Sequence, residues 1–189
     1  MEDIQQEVFK AYEVIKNGGI ILYPTDTVWG IGCDANNPEA VKKIYALKNR
    51  AESKSMIVLT TERLFHKVFS SPPEVTWDLL NCTEKPTTLI LDNPKYVAKE
   101  IISEDNSLGI RITEEPFCFR LIEKMKSPLV STSANVSGYP TPRNFSEITK
   151  EIIEGVDYVV NLRQQDTKPT TPSTIIKLKA NSQVTIIRK

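Results

Sequence analysis

Residues 18–35 read Gly-Gly-Ile-Ile-Leu-Tyr-Pro-Thr-Asp-Thr-Val-Trp-Gly-Ile-Gly-Cys-Asp-Ala. The apolar run Ile20 to Tyr23 stands between the turn formers Gly18-Gly19 and Pro24, the pattern of a short buried strand. Upstream, Ile4, Val8, Ala11, Tyr12 and Ile15 recur at helical spacing and Asn17-Gly18-Gly19 supplies a stop, so an amphipathic helix leads into that strand. Downstream, the stretch from Pro24 to Asn37 reads as a loop. Asn37 followed by Pro38 marks the cap and first turn of a second helix, with an apolar stripe at Val41, Ile44, Tyr45 and Leu47 or Lys48.

The same alternation continues along the chain. Strand-like runs fall at 56–59, 88–91, 108–112, 129–131, 158–160, 174–178 and 184–187, and helical patterns at 62–69, 74–80, 95–102, 116–126 and 147–154. Interleaved helices and strands predict an α/β layered fold. The last two strands are separated only by Lys-Ala-Asn-Ser-Gln, which predicts an antiparallel hairpin and hence a mixed parallel and antiparallel sheet flanked by helices. No composition break marks a linker, so residues 1–189 are expected to form a single domain.

The chain has 189 residues, with 24 Lys and Arg against 24 Asp and Glu, a single His and 40% hydrophobic residues. A chain of this length buries roughly 70% of its unfolded surface. Disorder, collagen-like repeats and coiled coils are disfavoured by this composition. Zero net charge gives no long-range attraction to a polyanion unless the charge is segregated. No run approaches the 18 or so apolar residues of a membrane span, and the acidic, amphipathic N-terminus is unlike a signal peptide, which predicts a cytoplasmic protein with no membrane association. Cys33, Cys82 and Cys118 are odd in number and widely spaced, fitting reduced, buried structural thiols.

Neither standard phosphate-cradling glycine loop occurs. His66 lies inside a helical segment and is read as structural. What stands out is segregated charge: Lys42, Lys43, Lys48, Arg50 and Lys54 face only Glu52 between Val41 and Met56, a local net of +4. Lys42 and Lys43 read as the solvated face of the second helix. Lys48, Arg50 and Lys54 straddle its exit and lead into a strand, where loop cations suit phosphate; solvated loop charge is the alternative on spacing alone. Three hydroxyl-rich segments also flank strands: Pro24 to Thr27, Ser131 to Gly138 and Thr170 to Thr174. Such residues line ligand crevices in α/β sheets and equally form Asx and ST turns. Local chemistry thus reaches as far as an anionic small molecule.

These stretches, in order 18–35, 40–59 (AVKKIYALKNRAESKSMIVL), 87–91 (TTLIL), 107–112 (SLGIRI) with Pro116 following, 131–142 (STSANVSGYPTP), 172–178 (PSTIIKL) and the closing IIRK, resemble the YrdC family of threonylcarbamoyl-AMP synthases. The resemblance covers nearly the whole chain. It implies a twisted mixed sheet with a concave basic cleft. It also implies an ATP-dependent reaction in which L-threonine and bicarbonate give a carbamate that attacks the α-phosphate of ATP, yielding threonylcarbamoyl-AMP and pyrophosphate, with Mg²⁺ assisting. A downstream tRNA-modifying transferase complex would then use the product at adenosine 37 of tRNA; direct contact with tRNA is a further implied partner, and a monomer or weak homodimer the implied state.

By position, the resemblance places Lys48, Arg50 and Lys54 at the ATP phosphates together with Ser133, Asn135 and Arg188, and Ser107 and Thr141 near the nucleotide. It places Thr27, Arg111, Ser131 and Ser173 around threonine, with Arg111 on the substrate carboxylate. Two departures stand out: Leu59 occupies a place where relatives often have a histidine near threonine, and the sequence ends just after Arg188. The competing readings are an RNA-binding module using the same basic patch, and a paralogue that binds or hydrolyses the adenylate without making it. The intact Ser133-Ala134-Asn135 element argues against the paralogue, and the lack of aromatics beside the cations argues against single-strand binding.

Overall fold

The computed structural model describes residues 3–49 and 56–189. In chain order these residues form helix α1 (Ile4–Lys16), strands β1 (Ile21–Tyr23) and β2 (Gly30–Gly32), α2 (Pro38–Leu47), β3 (Ile57–Thr60), α3 (Glu62–Val68) and α4 (Val75–Asn81). There follow β4 (Thr87–Asp92), β5 (Ser107–Ile112), α5 (Pro116–Met125), β6 (Leu129–Ser133), α6 (Lys150–Gly155), β7 (Tyr158–Val159), β8 (Thr174–Leu178) and β9 (Val184–Arg188).

Helix starts follow local chemistry. Asp3 caps α1 by accepting the Gln5 N–H at 2.9 Å, and Asn37 caps α2 by accepting the N–H groups of Glu39 and Ala40, each at 3.1 Å. Glu115 accepts the Cys118 N–H at 2.8 Å at the start of α5, with Pro116 in the first turn. These side chains satisfy donors that the first turn leaves without intrahelical partners.

The described strands make one sheet in the order β7-β1-β2-β6-β3-β5-β4-β8-β9. Pairs β1/β7, β3/β5 and β4/β8 are parallel and the remainder antiparallel, including the β8/β9 hairpin. The mixed sheet expected from the sequence is therefore the observed one.

Side chains alternate across a strand, and the two faces of this sheet have different fates. Leu22, Ile31, Val58, Leu89, Leu91, Ile110, Val130, Ile176 and Leu178 form one face, packed beneath Val41 and Ile44 of α2 and Phe65 and Val68 of α3. On the other, Ile21, Tyr23, Leu59 and Leu129 meet Val8, Ala11 and Ile15 of α1 and Phe117, Leu121 and Ile122 of α5. Further along this second face the alternation presents Ile57, Thr88, Gly109, Arg111, Ser131 and Ser133. That half of the face is open and forms a cleft.

Two segments depart from the sequence expectation. β2, Gly-Ile-Gly, lies within the stretch 24–37 that the sequence reads as a loop, and glycine is depleted in strands. Here a Cβ on Gly32 would lie 2.3 Å from the Val130 carbonyl and 2.8 Å from the Tyr23 ring, so only glycine admits the neighbouring backbone and the ring together. The helix expected at 95–102 is only a 3₁₀ turn, Lys99–Ile101. Tyr96 adopts φ +54°, which an α-helix excludes, and the Ala98 N–H, which a helix would turn back onto its own first turn, donates to Ala35 O at 2.7 Å.

Of the three cysteines expected to be buried, Cys33 and Cys118 are, and Cys82 is exposed just after α4. Burial pushes the Cys33 and Cys118 thiols well above their ordinary range, which keeps both protonated and inert. Among the described residues no helix is long and apolar enough to cross a membrane.

Candidate active site

The open half of the sheet encloses a cavity of about 240 Å³. Its wall includes Thr27, Arg111, Ser131, Ser133, Thr141, Ser173 and Arg188. These seven are spread over 161 positions of sequence, and each was singled out at the sequence level.

The loop from Pro24 supplies one rim. Thr25 Oγ1 donates to the Val28 carbonyl at 2.7 Å and accepts the Thr27 N–H at 3.0 Å, an ST turn that sets Thr27 into the wall. Thr25 thus makes the turn and Thr27 faces the cleft. Trp29, also on the wall, packs against Phe145 with ring centroids 4.9 Å apart.

β5 supplies Arg111. One Nη donates to Asp26 Oδ1 at 2.9 Å, and the Nε is buried with no hydrogen-bond partner. The Arg111 side chain is 4% exposed. Two positions earlier, Gly109 leaves the floor bare: a Cβ there would lie 2.7 Å from Ile57 Cγ2. Leu59 pairs with Arg111 in the parallel ladder but is fully buried in the α1 and α5 cluster, off the cleft wall.

The opposite wall comes from the C-terminal segments. Ser173 Oγ lies 2.9 Å from Thr88 Oγ1, and Arg188 Nε donates to the Ser173 carbonyl at 2.9 Å. Burial, reinforced by the neighbouring Arg111 guanidinium, lowers the proton affinity of Arg188 below the ordinary arginine value. Two guanidinium groups thus feel one another in a cleft whose described wall contains no Asp or Glu; an anion placed there relieves their repulsion. Thr88 was not singled out beforehand. Its alternation with the apolar Leu89 carries the signal, because a threonine between core strand residues has to face the other side.

Three expected residues stand elsewhere. Lys48, expected at phosphate, is 1% exposed and off the cleft wall; its ammonium donates to the carbonyls of Ser133 and Asn135. Asn135 follows β6 but does not line the cavity: its Nδ2 donates to the carbonyls of Val136 at 3.0 Å and Tyr139 at 2.8 Å, leaving Oδ1 buried and unpartnered. Ser107 shares the Arg111 face of β5 but is about 13 Å away by strand rise, with its hydroxyl donating to Asp105 Oδ1 at 2.6 Å. Arg50 and Lys54 lie outside the described residues. Lys42 and Lys43 meet the solvated-face expectation, Lys42 pairing with Glu39 at 2.9 Å and Lys43 donating to the Gly18 carbonyl at 2.8 Å. His66 is exposed on α3 between the rings of Phe65 and Trp77, away from the cleft.

Comparison with known proteins gives the family of the chain. The chain is 32% identical over 191 residues to a putative threonylcarbamoyl-AMP synthase of Methanocaldococcus jannaschii, covering 96% of this chain and 87% of that one. It is 30% identical over 161 residues to the threonylcarbamoyl-AMP synthase of Pseudoalteromonas translucida, covering 83% and 86%. The fold superposes on the crystal structure of P. abyssi Sua5 complexed with L-threonine with a TM-score of 0.80 at 24% identity, covering 93% of this chain and 52% of the Sua5 chain. This protein therefore spans about half of that longer chain. The Sua5/YciO/YrdC family model, described as "Telomere recombination", matches residues 13–189, and the chain belongs to that family.

Proposed function

We propose that this protein is a nucleotidyltransferase that makes L-threonylcarbamoyl-AMP from L-threonine, bicarbonate and ATP, releasing pyrophosphate. The observation that carries the reading is the convergence of Thr27, Arg111, Ser131, Ser133, Thr141, Ser173 and Arg188 on one cleft with two arginines and no carboxylate on its described wall.

Arg111 takes the threonine carboxylate, for which its unpartnered Nε is a ready donor. Thr27, Ser131 and Ser173 surround the amino acid with small hydroxyls. The threonine amine adds to bicarbonate-derived carbon with loss of water, giving the carbamate. A carbamate oxygen then attacks the α-phosphorus, and the bond to the pyrophosphate oxygen breaks. Arg188, Ser133 and Thr141 lie where the nucleotide would complete the cleft, and Arg50, Lys54 and Asn135 are assigned to its phosphates from the family pattern. Such a reaction is run by positioning and by stabilising charge on phosphate oxygens, which suits a wall without general-base histidines. Mg²⁺ would arrive with ATP: among the described residues no group of three His, Cys, Asp or Glu is placed to hold a metal, and Mg²⁺ is commonly held by substrate phosphates and water. The product would feed a transferase that modifies adenosine 37 of tRNA.

The deciding experiment measures pyrophosphate release from ATP with threonine and bicarbonate omitted in turn. Release is expected only with both present. Release that ignores both omissions, or no release with every substrate present, sinks the synthase reading. Arg50→Ala and Lys54→Ala should each lower turnover on the order of 10²-fold.

A further inference from the structure

Lys48 follows the last turn of α2 and is almost wholly removed from solvent. A buried ammonium is costly unless its protons are bonded. Here two of its bonds go to main chain: the Nζ donates to the carbonyls of Ser133 and, at 2.5 Å, of Asn135. The Lys48 carbonyl in turn accepts the Ser137 N–H at 2.9 Å. One residue at a helix end is thus bonded to three positions of the segment that leaves β6.

That segment has no ladder of its own to hold it. β6 ends at Ser133, and residues 134–140 belong to no helix or strand. Two of its buried polar atoms, Asn135 Oδ1 and Ser137 Oγ, have no partner, so its conformation is not fixed by its own side chains alone. Gly138 beyond it adopts φ +91°.

We propose that Lys48 is a positioning residue: it clips the Ser133–Ser137 segment to the end of α2, and so presets the Ser133 hydroxyl on the cleft wall for the nucleotide. It acts through that segment and makes no phosphate contact. Arginine is a poor replacement, because a planar fork does not converge on two carbonyls as a compact ammonium does. The assignment of the segment to a nucleotide rests on the synthase reading; the clip itself does not.

Two measurements test it. In wild-type protein labelled with [¹⁵N]lysine, the Lys48 ammonium should give a signal protected from exchange with water before any substrate is added, and addition of pyrophosphate should leave it protected and unshifted. No protected signal in the free protein, or one that moves strongly with pyrophosphate, overturns the clip. In Lys48→Met, backbone amides 134–138 should exchange at least about tenfold faster while those of β3 and β5 keep their protection. Turnover should fall about 10²-fold with the threonine KM nearly unchanged, and Lys48→Arg should not restore it. Unchanged exchange at 134–138 overturns the proposal whatever the activity. Wild-type protein inactive with all substrates would instead sink the functional reading and leave the clip to be judged by exchange. If Lys48→Met does not fold, the ammonium signal of the wild type decides.

Discussion

Arg111 is bonded to Asp26 on one side only. Its Nη donates to the Asp26 carboxylate at 2.9 Å while its Nε stays buried and unpartnered, so the ion pair fixes the guanidinium and leaves donor capacity over. A substrate carboxylate would complete it. Arg111→Lys keeps the charge but loses the planar fork, and should raise the threonine KM at least about tenfold. Asp26→Asn removes the orienting charge and should raise the same KM with less effect on ATP. Steady-state kinetics with each substrate varied separately checks both. A variant of either kind with an unchanged threonine KM would refute the carboxylate assignment.

Arg188 and Arg111 repel across the cleft. An anionic ligand is therefore bound partly by relieving that repulsion, and ATP affinity should weaken as ionic strength rises. Arg188→Gln should raise the ATP KM about tenfold or more, and the salt dependence should become shallower. The lowered proton affinity still leaves arginine charged, so Arg188 should add no limb to the pH profile between about pH 6 and 9.

Glu7 sits on α1 and is almost wholly buried. Burial alone would raise its pKa, but bonds from the Tyr158 hydroxyl at 2.6 Å, the Asn161 N–H at 2.8 Å and the Lys10 ammonium at 2.9 Å outweigh it, and the pKa lies below its ordinary 4.5. A group depressed in the folded state contributes stability above its unfolded pKa and loses it as pH falls through the folded value. Wild-type stability should therefore decline below about pH 4.5 more steeply than that of Glu7→Gln. Chemical denaturation as a function of pH compares the slopes, and equal slopes would refute the linkage.

Gly32→Ala would drive a methyl into the Val130 carbonyl and the Tyr23 ring. Backbone cannot swing aside as a flexible side chain does, so the cost should be at least about 1–3 kcal/mol. Thermal unfolding measures it. Gly138→Ala meets no atom within 4 Å and suffers only from its φ of +91°, a cost of about 1–3 kcal/mol confined to the loop. A Gly32→Ala protein as stable as wild type would show that β2 does not pack as described.

His66→Ala should leave synthase turnover within about twofold of wild type, because the imidazole meets Phe65 edge-on and Trp77 at a tilt, on the face of the sheet away from the cleft. A large loss of activity, with the fold intact by circular dichroism, would reveal a second role for that helix.

The zero net charge of the chain conceals an uneven distribution. The sequence by itself determined where α1, α2 and α5 begin, because capping and proline chemistry act within four residues, and where most strands run, because apolar alternation is local. Hydroxyl-rich segments at strand ends pointed to Thr27, Ser131, Ser133 and Ser173 of the cleft wall, and the family resemblance added Arg111, Thr141 and Arg188. The tertiary structure decided what depends on distant partners. β2 is a strand because β1 and β6 pair with it, its glycines leaving room for Tyr23, and the helical pattern at 95–102 fails because Tyr96 turns left-handed and Ala35 takes the Ala98 donor. Asp26 orients Arg111 from 85 positions away. Lys48 looks in sequence like any loop cation. Only its burial beneath the Ser133–Ser137 segment directs its ammonium to main-chain carbonyls instead of solvent, since a charge removed from water must bond to whatever the fold brings within reach.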